Sequence, residues 1–112
     1  MLTEQEMLVV AEKYMSFRST NTIELVIINQ LTLKKPYGNV FYYDSKRYNE
    51  TGEFKHHVIG SSPFLVENKT GRVVNFGTAR SFEFYLDEYE RGDMTPSLDR
   101  YWYPETEKFS HK

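Results

Sequence analysis

The 112-residue chain has no cysteine, which excludes disulfide staples, thiolate nucleophiles and thiolate metal ligands. It has no apolar run approaching the ~18 residues of a membrane-spanning helix. Its first residues, Met1-Leu2-Thr3-Glu4-Gln5-Glu6, are acidic and polar, where a secretory signal would be basic and then apolar. A cytoplasmic protein with no membrane partner is expected. Histidine is sparse. His56-His57 is the one adjacent pair, and neighbouring residues on a strand face opposite ways, whereas zinc wants three or four converging ligands. The pair therefore reads as exposed loop, and His111 as part of a terminal tail. There is no glycine-rich phosphate loop, and Ser61-Ser62 has no histidine at a known nucleophile spacing. Strong net charge is also absent. At −2 the balance argues against nucleic acid, even though Lys34-Lys35 and Lys46-Arg47 lie beside Tyr37, Tyr42, Tyr43 and Tyr48, an interleaving that suits single strands. No catalytic residue, metal or cofactor is expected, and the chain reads as a non-enzyme.

Aromatic residues are abundant, nine Tyr, eight Phe and one Trp, enough to build one core and still present amphipathic rings at the surface. Charge is unevenly spread. Residues 81–112 hold eight acids against four bases, and residues 18–80 hold nine bases against five acids. Thr3 and Glu6 form a capping-box pattern ahead of Met7, Val10, Ala11, Tyr14 and Phe17, which fall on one stripe and predict a helix over about 4–17. Ile23 to Ile28 and Val40 to Tyr43 read as strands that pair as a hairpin, with Lys34-Lys35-Pro36-Tyr37-Gly38 turning between them. Residues 44–60 are polar and aperiodic, an ordered connection anchored by Phe54 and Tyr48. Phe82, Tyr85, Leu86 and Tyr89 mark a second helical stripe, capped by Ser81 and ended by Gly92.

The middle of the chain is a β-hairpin. Phe64 to Val66 and Val73 to Phe76 are apolar runs around Asn68-Lys69-Thr70-Gly71, with Pro63 at the first strand position and Gly71 where a positive φ is needed. Gly60-Ser61-Ser62-Pro63, the Thr70-Gly71 turn, the short strand and Gly77-Thr78-Ala79 before an aromatic-acidic helix follow one another in order. Upstream stands Tyr48-Asn49-Glu50-Thr51-Gly52-Glu53-Phe54. Over residues 4 to 91 this order and spacing resembles the YrhB-like family, also called immunity protein 35. The expected fold is α+β, in the order αββββα: an antiparallel sheet of about four strands with an N-terminal and a C-terminal helix against one face. Residues 1–92 form the domain, and 93–112 an aromatic and charged extension.

Pattern alone names no function. The resemblance implies an immunity protein that binds and neutralises a cognate bacterial toxin, stoichiometrically and without catalysis. The alternative is a stand-alone housekeeping or chaperone-like protein without a toxin. The expected partner is the toxin, and oligomeric state is left open. The candidate contact residues are the acidic cluster Asp87, Glu88, Glu90 and Asp93 on the polar side of the second helix, with Tyr37 and Trp102. The cluster is either a solvated face or a patch that mimics phosphates toward a basic cleft. Tyr101-Trp102-Tyr103 is either an exposed anchor or a cover folded back on the core.

Overall fold

The computed structural model describes residues 1–58 and 62–111. Gly60 and Ser61, part of the motif read from sequence and half of the Ser61-Ser62 pair, lie outside the described residues.

Helix α1 (Glu4–Arg18) starts where its capping box puts it. The Glu6 amide donates to Thr3 Oγ1 at 3.1 Å and the Thr3 amide to Glu6 Oε1 at 2.9 Å. The face it buries is Met7, Ala11, Tyr14 and Met15, while Phe17 stays 42% exposed. Eight strands follow among the described residues, twice the number expected: β1 (Leu25–Ile27), β2 (Leu33–Lys35), β3 (Gly38–Phe41), β4 (Tyr43–Ser45), β5 (Phe64–Glu67), β6 (Val73–Asn75), β7 (Tyr101–Tyr103) and β8 (Lys108–Ser110). Helix α2 (Lys46–Thr51) lies between β4 and β5, and α3 (Phe82–Arg91) between β6 and β7. All pairings are antiparallel. Six strands form one sheet in the order β2-β3-β5-β6-β7-β8, and β1 pairs with β4 in a separate ribbon. The segment read as an extension thus supplies β7 and β8 to the main sheet. The Ile23–Ile28 run pairs with residues 43–45, and β2 forms the hairpin with β3.

The expectation that both helices cover one face is corrected: they cover opposite faces. Val66, Val73 and Trp102 stand in register across β5, β6 and β7, and all pack under α1 with Tyr14, Phe41 and Phe64. One residue along, Val40, Leu65 and Val74 pack with Phe76, Tyr85 and Leu86 under α3. A strand buried on both faces must be apolar at consecutive positions, as Phe64-Leu65-Val66 and Val73-Val74 are. The three-layer arrangement follows from that run.

Two glycines matter to this register. Gly71 has φ +76° in the β5–β6 turn, as the hairpin pattern requires. Gly38, at φ +157°, pairs with Glu67, and a Cβ there would lie 2.1 Å from the Val66 carbonyl oxygen of the neighbouring strand. The close approach of β3 to β5 depends on its bare backbone.

Candidate functional site

The acidic cluster on α3 does not form one solvated face. Arg91 takes up two of its members, with Nε 3.0 Å from Asp87 Oδ2 and Nη1 3.3 Å from Asp93 Oδ2. Glu90 Oε2 accepts from the Tyr37 hydroxyl at 2.5 Å and lies 3.7 Å from Lys35 Nζ. Glu88 is buried. One of its oxygens accepts from Thr95 Oγ1 at 3.2 Å, and the other has no partner among the described residues. Tyr37 and Glu90 are therefore brought together, Asp87 and Asp93 share one arginine, and Glu88 points inward. Trp102 belongs to the opposite face of the sheet and is fully buried against Tyr14 and Phe17, at centroid distances of 5.0 and 5.3 Å. It is part of the core, so the exposed-anchor reading is corrected.

Beneath α3 lies a polar knot that sequence reading missed. Glu67 ends β5 on the α3 side and accepts from Thr70 Oγ1 at 2.7 Å, Arg72 Nε at 2.5 Å and the Tyr89 hydroxyl at 2.5 Å. Burial alone would raise its carboxyl; the hydrogen bonds from Arg72, Thr70 and Tyr89 outweigh that and hold it below the ordinary carboxylate range. Burial and the Glu67 contact together push the Tyr89 hydroxyl up, and burial and Glu90 do the same to Tyr37. Arg72 also lies 4.0 Å from the centre of the Tyr101 ring. With Tyr37 and Tyr89 stacked at 5.1 Å, the knot ties α3, β5 and β7 together.

Among the clefts formed by the described residues, two carry the charged and aromatic side chains of a candidate site. The larger, about 970 Å³, lies beside α2 and includes Glu24, Lys46, Arg47, His56 and His57. His57, which lines it, has Nδ1 2.5 Å from Asp44 Oδ2, while Asp44 Oδ1 accepts from the amides of Ser45 at 2.7 Å and Val58 at 2.8 Å. The His57 ring is flanked by Tyr48 and Phe54, at 4.8 and 5.5 Å. This corrects the reading of His56-His57 as a plain exposed pair: His57 fastens the 52–58 segment to β4. Phe54, expected to anchor the connection, is 70% exposed. Among the described residues no group of three or more His, Cys, Asp or Glu could hold a metal ion, and no helix is long and apolar enough to cross a membrane.

The second cleft, about 510 Å³, opens where the C-terminal end of α1 meets the loops that follow β6 and precede β7. Arg18 and Arg100 line it with Tyr14, Tyr43 and Asn75, and Phe109 stands at its side. Arg18 Nη1 donates to the Tyr43 hydroxyl at 3.0 Å, and its guanidinium lies 5.7 Å from the centres of the Tyr14 and Tyr43 rings. The Tyr14 hydroxyl donates to Asn75 Oδ1 at 2.8 Å, and burial pushes it up to about 12. Arg100 is 6% exposed. No local pattern marks these two arginines in the sequence, because 82 positions separate residues that only the fold brings to one end of the sheet.

The chain is similar to the uncharacterized protein YrhB of Escherichia coli strain K12, at 32% identity over 53 residues. The alignment covers 47% of this chain and 56% of YrhB, so the likeness spans a little over half of that relative. No family model matches the chain, and no solved structure matches it.

Proposed function

We propose that this chain is an immunity-type protein that captures a cognate bacterial toxin one-to-one and inhibits it without chemistry of its own. The observation that carries the reading is the ordered residue pattern from Tyr48 through the Gly71 hairpin to the aromatic-acidic helix, which resembles immunity protein 35. The similarity to YrhB supports the family side of the argument and is silent on activity. The surface is compatible with capture. Phe17 and Phe109 lie side by side at 5.8 Å, 42% and 40% exposed, next to Arg18. Aromatic and arginine side chains are those that dominate protein interfaces. Asp87 and Glu90 stay exposed but are paired with Arg91 and Tyr37, and for that reason the α1–β8 side is favoured over α3 as the contact surface.

Titration against a toxin domain found encoded beside this gene tests the proposal; a gene neighbourhood without one would count against it. A stoichiometric inhibitor lowers toxin activity in a straight line to zero at one equivalent, and the two proteins co-elute. Complete protection by a small fraction of an equivalent would mean an enzyme that destroys the toxin or its product. No effect at excess, with no complex formed, would favour the stand-alone role.

A further inference from the structure

We infer that the cleft between Arg18 and Arg100 is a carboxylate-binding site that receives an acidic side chain from a peptide segment of a partner protein. The inference does not depend on that partner being a toxin.

Three observations converge on it. First, Arg100 is a buried cation with an incomplete set of acceptors. Its Nη1 donates to the Asn75 carbonyl at 2.7 Å and its Nη2 to the Thr95 carbonyl at 2.8 Å, while Nε is buried with no partner. Neutral carbonyls orient a guanidinium but do not neutralise it, and a buried charge without a counter-ion is costly. Second, Arg18 enters the same cleft from α1, and among the described residues neither guanidinium has a carboxylate within 4.0 Å. Arg72, whose side chain is 24% exposed, is by contrast matched by Glu67. Third, Tyr43 is a buried residue, 7% exposed, and its hydroxyl accepts from Arg18, which leaves its own proton for an acceptor in the cleft. Two guanidiniums and a phenol proton are the donor set that carboxylates favour.

The surroundings select a peptide over a nucleic acid. Asp99 also lines the cleft, its Oδ1 held by Ser97 Oγ at 2.7 Å, and it would repel a run of phosphates while tolerating one carboxylate seated on the arginines. A volume near 510 Å³ suits a side chain or two. Phe109 borders the opening, with Phe17 against it at 5.8 Å, and the pair offers apolar surface to the residues beside that acid.

The test uses the full chain, labelled at arginine side-chain nitrogens, and three probes: a capped Gly-Glu-Phe-Glu-Gly peptide, its Gly-Gln-Phe-Gln-Gly counterpart, and octathymidylate. The Glu peptide is expected to shift the Arg100 Nε–H signal and to bind about tenfold or more tighter than the Gln peptide, the worth of one charge-assisted hydrogen bond. Arg18→Met, at an exposed position, should weaken the Glu peptide by a similar factor; because it also gives up the bond to the Tyr43 hydroxyl, the melting temperature should fall by a few degrees with the protein still folded. Tyr43→Phe should weaken it less. Equal binding of Glu and Gln peptides, an unmoved Arg100 signal, or no loss in Arg18→Met would overturn the inference. Octathymidylate binding more tightly than the Glu peptide, and losing affinity in Arg18→Met, would overturn it in favour of a phosphate site.

Discussion

Glu67→Gln isolates the charge at the centre of the polar knot while keeping its volume. In the parent, Glu67 is 7% exposed and accepts from Arg72, Thr70 and Tyr89. The amide cannot accept at both ends: whichever way it turns, its NH₂ meets donors that were satisfied by a carboxylate oxygen. Breaking a fully buried ion pair costs about 3–5 kcal/mol, because the surviving charge is stranded. Arg72 is not fully stranded here, since its side chain is 24% exposed and its guanidinium also faces the Tyr101 ring and the Tyr103 hydroxyl. The expected loss at pH 7 is therefore lower, about 2–3 kcal/mol, or roughly 10 °C in Tm for a domain of this length.

The same argument fixes the pH dependence. The folded-state value of Glu67 lies below its unfolded value of 4.5, so its contribution is fully present above that value and is lost as pH falls through the folded one. Glu67→Gln removes this contribution at every pH. The gap between parent and variant should thus be widest near neutrality and close on acidification below about pH 4. Urea denaturation of both proteins across this range measures it. A variant within about 0.5 kcal/mol of the parent at pH 7, the spread of an ordinary surface change, would refute the network reasoning. A gap that persists undiminished in acid would show that shape, not charge, was at stake.

Gly38→Ala should destabilise by about 3 kcal/mol or more, because its Cβ would meet a backbone oxygen that cannot swing aside; a melt within a few degrees of the parent would contradict the β3–β5 register. Trp102→Ala should cost about 3–5 kcal/mol by emptying the space between α1 and the sheet, whereas a surface anchor would leave denaturant unfolding almost unchanged. Asp44→Ala removes the acceptor for two amides and for His57; a loss of about 2–3 kcal/mol with faster hydrogen exchange at Val58 is expected, and unaltered exchange there would remove Asp44 as the fastener of the 52–58 segment.

Helices α1 and α3 and the central hairpin were legible because each is written locally; α2, Lys46–Thr51, was not, since its six residues were read as part of an aperiodic connection. The Thr3–Glu6 box, the stripes of α1 and α3 and the Asn68–Gly71 turn all sit within a few residues of the structure they specify. The layering was misread: consecutive apolar residues in β5 and β6 mark two buried faces, whereas the sequence reading sets both helices against one face. The four short strands at Leu25–Ile27, Tyr43–Ser45, Tyr101–Tyr103 and Lys108–Ser110 were not all legible. Three residues carry no period, and their pairing is imposed by neighbours across the sheet or ribbon. Phe17 and Met15 show the same limit inside a helix. The stripe admitted Phe17, yet Met15 is the residue that α1 buries.

The candidate sites were the least legible part, and the reason is that formal charge in a sequence is not charge on a surface. Counting acids over residues 81–112 pointed to α3 as an anion presented to a basic partner. In the folded protein four of them are answered: Arg91 takes Asp87 and Asp93, Tyr37 and Lys35 take Glu90, and Thr95 takes Glu88. Exposed pairs of this kind add little to stability, yet each one removes charge that a partner could feel. The arginines behave in the opposite way. Arg18 and Arg100 are unremarkable in the sequence, but the fold brings them to one cleft and supplies carbonyls and hydroxyls in place of carboxylates. A partner that recognises this end of the sheet therefore meets the exposed Arg18, with Asp99 and buried Arg100 lining the same cleft. Electrostatic steering would then favour a partner with an acidic contact face, and association with it should slow as salt screens the arginines.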